Sequence, residues 1–426
     1  MRPFAHGVYP SARAVWRAVA IAHNFGIVTN RQIKSLTCIA VVMAAGLGVL
    51  APSSAAAGRR VHPGDSIQDA VNYARPGDTI TVMPGTYYEN VLITKRLTLR
   101  GYGARTVIRP PVTAVTPVAP VTPQAPGATG APVTSGAAQT PAAQPPAKPA
   151  TSATPATPAT SGRALACSQA DTGICVMGTA EQPVVGVDIR SLTVSGFKRN
   201  GIWASYTDRL SVQRVISEKN GTWGIAQERS TRGLFRDNTA RDNAESGLFI
   251  ANTVDREGGA TDTLGAVVRR NTLTGNRIGV TVRRVRNLSV YGNELTGNCG
   301  GIFVVGDEGE PGAGDMTIRN NRIHENNKFC KGNTRLPDIQ GVGIVLTGAE
   351  QTVIRSNDIR GNVGASPLSG GILLFKSFVG ATNTDNVIRD NVVRDNKPAD
   401  LANQGTGTGN QFVNNRCASS VPAGMC

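Results

Sequence analysis

"NELTGNCGGIFVV" occupies residues 293–305 and sets two asparagines five positions apart, then glycine, then alternating apolar side chains. The same elements return along the chain. Asparagine pairs five apart occur at Asn238/Asn243, Asn271/Asn276, Asn293/Asn298, Asn321/Asn326, Asn357/Asn362 and Asn391/Asn396. Two earlier segments keep only the second member, Asn200 and Asn220. Glycine with an apolar alternation recurs as GIWAS from 201, GIAQE from 224, GLFIA from 247, GVTVR from 279, GIVLT from 343 and GILLF from 371. The shortest spacings between copies are 20, 22 and 23 residues; longer ones, 28 to 36, carry polar inserts such as VDREGGATDT, GDEGEPGAG and KGNTRLPDIQ.

A period near 22 with several short strands per period predicts a solenoid. Each strand is too short to bury a core alone, but stacked coils line one continuous interior. Strands of successive coils then pair in parallel, about 4.8 Å apart. Glycine is expected to supply turn conformations that a Cβ forbids. Asparagine at a fixed turn site can bond its own backbone and the next coil's side chain, forming a ladder. Leucine-rich repeats share the period, but their leucine framework is missing. An antiparallel sandwich would not repeat Asn and Gly in one register.

Composition agrees with many short strands and turns. Aromatics make up 5% of the 426 residues and glycine contributes 49. At the N-terminus, Arg2, Arg13, Arg17, Arg31 and Lys34 precede CIAVVMAAGLGVLAPSSAAA, which reads as a secretory signal cut before Gly58. The basic flank is long, which leaves a downstream start codon open. An uncleaved anchor is the alternative, but the apolar core is short and no stable membrane span is expected after cleavage. Removing 1–57 takes five of 44 Lys+Arg and none of 29 Asp+Glu, leaving a net +10. A basic secreted chain is drawn to anionic polysaccharide, wall polymers or lipid surfaces rather than nucleic acid. Six cysteines remain: Cys167, Cys175, Cys299, Cys330, Cys417 and Cys426. Short loops favour Cys167–Cys175 and Cys417–Cys426, leaving Cys299–Cys330, a preference among the 15 pairings six cysteines allow. With His62 and His324 the only histidines after 57 and no C-x-x-C, zinc is not expected.

Residues 111–162 are almost wholly Pro, Ala, Thr, Gly, Ser and Gln, an extended, disordered linker or inserted loop. Before it, DSIQDAVNYARPGD spaces Ile67, Ala70, Val71 and Ala74 as a short helix, with Asp65 or Ser66 as cap and Pro76-Gly77 as stop. Short strands follow in TITVMPG, NVLIT, RLTLRGYG and TVIRP. Residues 58–110 therefore read as a cap and first coils, and 163–426 as the main repeat domain.

The run SIQDAVNYARPGDTITVMPGTYYENVLITKRLTLRGYG, followed by repeated N-x-x-x-x-N … G-I-x-V, resembles right-handed parallel β-helix proteins of the pectate-lyase-like superfamily. The resemblance covers about 61–110 and 164–417. It implies an all-β, right-handed parallel β-helix of about ten coils with an N-terminal capping helix. Relatives include lyases, hydrolases, epimerases and esterases of polysaccharides, along with binding proteins and a periplasmic protein that helps mature nitrous-oxide reductase. Individual activities are not carried over. GTYYE (Gly85, Tyr87, Glu89) matches G-x-Y-x-E of pectin methylesterases, but their other motifs are missing, so it reads as first-coil structure. NTD at 383–385 lacks the remaining polygalacturonase motifs, and the D-P-H-D of alginate epimerases is missing.

Alternation turns Ile202/Ala204, Leu248/Ile250, Val280/Val282, Ile302/Val304, Ile344/Leu346 and Ile372/Leu374 inward. It turns Trp203, Phe249, Phe303, Val345, Leu373 and Phe375 outward. That apolar outer face, with Trp203 and Phe249 about 10 Å apart on alternate coils, is the candidate sugar-binding groove, together with Lys376. The other reading is that the linker or the inserts cover it. Charges gather just past these strands. Asp255, Arg286, Asp307 and Glu308 are the candidate catalytic group: Arg286 to neutralise a uronate carboxylate, Asp255 with Asp307 or Glu308 as paired carboxylates. DEGEPGAGD offers Asp307, Glu308, Glu310 and Asp315 to Ca²⁺, but no EF-type spacing supports it, and no cofactor is expected. The function expected, with its substrate class implied by the resemblance, is a secreted, monomeric β-helix protein that binds, and as a lyase or hydrolase would modify, an anionic, uronate-type polysaccharide. The alternative is a non-catalytic surface or scaffold protein on a wall polymer or partner protein.

Overall fold

A computed structural model describes residues 58–112, 171–253, 258–333, 336–405 and 407–426. The signal region, nearly all of the linker, Cys167 and Asp255 lie outside these residues. The described chain winds through three long sheets of 13, 10 and 11 strands and a small two-stranded one. Their pairings are parallel and join equivalent positions of successive coils, as in Val212↔Phe235 and Phe303↔Val345. Strands before and after 113–170 share sheets: Thr98–Arg100 pairs with Asp188–Arg190, and Val91–Ile93 with Ile174–Met177.

In the first two sheets the middle residue of each three-residue strand points inward. Ile189, Val212, Phe235, Val268, Val290, Ile318, Ile354 and Ile388 form one such row and are fully buried. The third sheet supplies the inward pairs expected from alternation, in the same continuous core. One exception is Gln227, buried in register between Ala204 and Ile250.

Two asparagine ladders run along the turns. One links Asn238, Asn271, Asn293, Asn321, Asn357, Asn391 and Asn415. The other links Asn220, Asn243, Asn276, Asn298, Asn326, Asn362 and Asn396, and ends on Asp400. Each interior amide is saturated. Asn298 Oδ1 accepts from Asn276 N (2.9 Å) and Nδ2 (3.1 Å); its Nδ2 donates to Leu273 O (2.9 Å) and Asn326 Oδ1 (2.8 Å). Four bonds are all a side-chain amide can make.

The residue before each ladder asparagine is left-handed, as at Asp237 (φ 57°), Gly297 (φ 64°) and Ser356 (φ 54°). Non-glycine residues hold many of these strained turns, and the ladder bonds offset the cost. The repeated glycine that follows acts differently from the turn role expected of it. Gly301 is not left-handed; a Cβ there would run into the Gly343 carbonyl oxygen and Ile323. Its lack of a side chain lets neighbouring coils close up.

The N-terminal coil is capped by the helix Ile67–Tyr73, with Ser66 Oγ accepting from Asp69 N at 3.1 Å. Glu89 reaches back to accept from Ile67 N (2.7 Å) and Gln68 N (2.9 Å), and the Tyr87 hydroxyl bonds Val61 O and Met83 O. GTYYE is therefore a helix anchor. The chain ends in a disulfide, Cys417–Cys426, and Cys299–Cys330 ties an insert to the third sheet. Cys175 is disulfide-bonded as well; its expected partner Cys167 is outside the described residues. No helix among the described residues is long and apolar enough to cross a membrane.

Candidate functional site

The outward row of the third sheet lies where alternation puts it. Trp203, Ala226, Phe249, Thr281, Phe303, Val345 and Leu373 face one another in register. The aromatics sit in two clusters apart from the interior core. The groove expected there is nevertheless closed. Trp203 is 2% exposed, Phe249 5%, Phe303 2% and Phe375 7%. Ala226 leaves a gap between Trp203 and Phe249, and Trp223 fills it. Its ring stacks 5.4 Å from Trp203 and 4.3 Å from Phe249. Phe303 is packed with Ile339, Leu336 and Cys330 of the insert that the disulfide pins down. Phe375 belongs to the same cluster and lies 5.0 Å from Phe378. These four rings are packing residues, with no open face for a sugar; Lys376 beside them is exposed.

The expected catalytic group separates. Arg286 pairs with Glu350 at 3.1 Å, and not with Asp307. The register explains why: Arg286, Gly314 and Glu350 lie opposite one another on three neighbouring strands. Gly314 has no side chain, so the two charges meet across it. Asp307 instead faces Arg284 at 3.2 Å, with both side chains largely buried. Glu308 is exposed, and Asp255 lies outside the described residues. Among the described residues no acidic, His or Cys group of three gathers to hold a metal.

The strongest unassigned feature is on the first sheet. Its last outward position reads Arg100, Arg190, Gln213, Arg236, Arg269, Tyr291, Arg319, Arg355 and Arg389, in unbroken register over nine strands. Strand spacing puts neighbouring members about 4.8 Å apart. Three arginines have local acids: Arg190 with Asp188 (3.4 Å), Arg236 with Asp237 (2.7 Å) and Arg389 with Asp390 (2.6 Å). Hydrogen bonds from Asn414 and then Arg389 hold the Asp390 carboxyl below its ordinary range. Arg100, Arg319 and Arg355 form no ion pair among the described residues. Two positions back runs a half-exposed floor of small or neutral side chains, Ser211, Leu234, Val267, Ser289, Thr317 and Val353. The row was readable as a repeated Arg-x-Asn, at Arg236/Asn238, Arg269/Asn271, Arg319/Asn321, Arg355/Asn357 and Arg389/Asn391. The reading of the Gly-Ile strands missed it because it sits on another sheet.

A family model described as "Right handed beta helix region" matches residues 257–425. No curated protein matches by sequence. Solved structures that resemble the chain include the A-module of the Azotobacter vinelandii mannuronan C-5 epimerase AlgE4, at 15% identity and TM-score 0.48, covering 83% of this chain and 91% of that one. The periplasmic alginate epimerase AlgG matches at 12% identity and TM-score 0.43, covering 84% and 83%. DFA-IIIase from Arthrobacter chlorophenolicus A6 matches at 13% identity and TM-score 0.40, covering 82% and 80%. The parallel sheets and stacked coils give the described residues the fold of a right-handed parallel β-helix, and the family match covers residues 257–425 of the chain.

Proposed function

We propose that this protein binds an anionic, uronate-type polysaccharide lengthwise along the first sheet. The observation that carries the reading is the arginine row. It sets seven arginines among nine positions about 4.8 Å apart, close to one sugar unit of an extended chain. The half-exposed floor beside it offers a surface for the C–H faces of the sugars. Each exposed contact is weak and screened by salt, so affinity comes from their number. The proposal is one of binding, since Arg286 and Asp307 are held in pairs with Glu350 and Arg284. Secretion is part of the proposal, supported by Cys299–Cys330 and Cys417–Cys426, which belong to oxidising compartments.

The test is affinity electrophoresis in polygalacturonate and in a neutral glucan, at low and high salt. Retardation by polygalacturonate alone, lost at high salt and reduced in an Arg319→Gln/Arg355→Gln double variant, is expected. Equal retardation by the neutral polymer, or a double variant that runs like the wild type, overturns the reading.

A further inference from the structure

At the N-terminal end of the row the surface becomes concave. A pocket is lined by Arg100, Gly101, Tyr102, Arg190, Ser191 and Arg214. Arg100 and Arg190 are register partners on adjacent strands. Ser191 (φ 54°) and Arg214 (φ 50°) are left-handed turn residues of successive coils, which carries their side chains past the sheet edge. Gly101 occupies the equivalent turn position one coil earlier and adds no side chain to the pocket; Thr106 and the Ser191 carbonyl oxygen stand where its Cβ would be. Arg214 Nε donates to Ser191 Oγ at 3.3 Å, so this guanidinium is steered by a neutral hydroxyl and not by a carboxylate.

The charges do not balance. Three guanidiniums line the pocket, and the carboxylate paired with them is Asp188, 3.4 Å from Arg190 and also bonded by Gln213 Nε2 at 3.2 Å. Two positive charges are left over. Like charges held on adjacent strands repel, and a bound anion relieves this. Guanidinium forks suit a tetrahedral oxyanion, which can accept paired bonds from more than one of them. A uronate carboxylate or a sulfate ester carries a single charge. A phosphate monoester carries close to two at neutral pH, its second pKa being about 6.

We infer that this pocket binds a phosphate dianion, free or carried as a monoester on a saccharide. The inference rests on the reading of the row as the polyanion face, because Arg100 and Arg190 belong to both. The experiment is calorimetric titration of the full-length protein with inorganic phosphate, with the monoanions methyl sulfate and acetate as comparators, at about pH 8 and about pH 5. One saturable phosphate site is expected, tighter than for methyl sulfate or acetate. Its affinity should drop by about tenfold at the lower pH, where the probe becomes a monoanion. Arg214→Gln, outside the row, should weaken phosphate by about tenfold, as for a lost charge-assisted bond, and leave polygalacturonate retardation unchanged. Glucose 6-phosphate separates the sources: tighter binding than phosphate assigns the site to a phosphorylated saccharide, weaker binding to the free ion. No saturable phosphate binding, no preference over methyl sulfate and acetate, or an Arg214→Gln variant that binds phosphate normally overturns the inference even if the polymer still binds. Loss of polymer binding with phosphate binding intact would count against the row alone.

Discussion

The guanidinium of Arg319 lies 4.2 Å above the ring of Tyr291, whose hydroxyl accepts from Arg269 Nη1 at 3.4 Å. The aromatic member of the row therefore orders a cation on each side. An exposed cation–π contact contributes about 0.5–1 kcal/mol. Tyr291→Ala should weaken polygalacturonate binding by about two- to fivefold, the equivalent of that energy. Tyr291→Phe keeps the ring under Arg319 but removes the acceptor for Arg269, and should fall between Tyr291→Ala and wild type. If the two variants bind alike, Tyr291 does not organise the row.

The ladders make a stability prediction. In Asn298→Leu, Asn276 N and Nδ2 lose their acceptor, and Leu273 O and Asn326 Oδ1 lose a donor. Each buried group left without a partner costs on the order of 1–3 kcal/mol. The thermal midpoint should fall by several degrees or the variant should not fold; an unchanged midpoint would contradict the ladder's structural role.

A second stability prediction concerns acid. Arg232 grips Asp208 through Nε–Oδ1 and Nη2–Oδ2, both 2.6 Å, and Thr231 Oγ1 adds a bond at 2.9 Å. Hydrogen bonding from Arg232 is the largest cause holding the Asp208 carboxyl below its ordinary range, against the opposing effect of burial. A depressed carboxylate contributes stability that is complete above its unfolded pKa, about 3.9, and disappears as pH falls through the folded value. Asp208→Asn should thus lower the thermal midpoint at neutral pH and converge with wild type in strong acid. A gap that stays constant down to about pH 2 would exclude this linkage.

The insert gives a third. Cys299 and Cys330 are 31 residues apart in sequence and close the cover over Phe303. A Cys299→Ala/Cys330→Ala variant should lose about 2–4 kcal/mol of stability and bind more of a hydrophobic dye. Equal dye binding would mean that packing of Ile339 and Leu336 holds the cover without the bond.

The parts of the fold that were legible are those that must repeat. A ladder works only if asparagine returns at one position in every coil, and close packing of coils needs glycine at Gly301 and its equivalents. The inward rows followed from alternation for the same reason. That inserts cover the outward rings was readable as the alternative to a groove; which side chains do so was not, because they come from parts that do not repeat. Trp223 enters the gap at Ala226 from the preceding turn, and Ile339 arrives from an insert through a disulfide. The dispersal of the charged group was equally hidden. Alignment placed Arg286 and Asp307 along the coil but could not show that Gly314 opens a path from Arg286 to Glu350. The arginine row was written plainly in the repeats and needed only the outward face of the first sheet to be read.

The ladder that ends on Asp400 has a further consequence. Along it each Nδ2 points toward the C-terminal end, so every coil offers a hydrogen to the next. At Asp400 that relay meets a carboxylate, which accepts from Asn396 N and Nδ2 and from Ala418 N and Ser419 N. A carboxylate has no hydrogen to offer in turn. Asp400 thus closes this line of amides on an acceptor, so its last donor, Asn396, is not left unpaired.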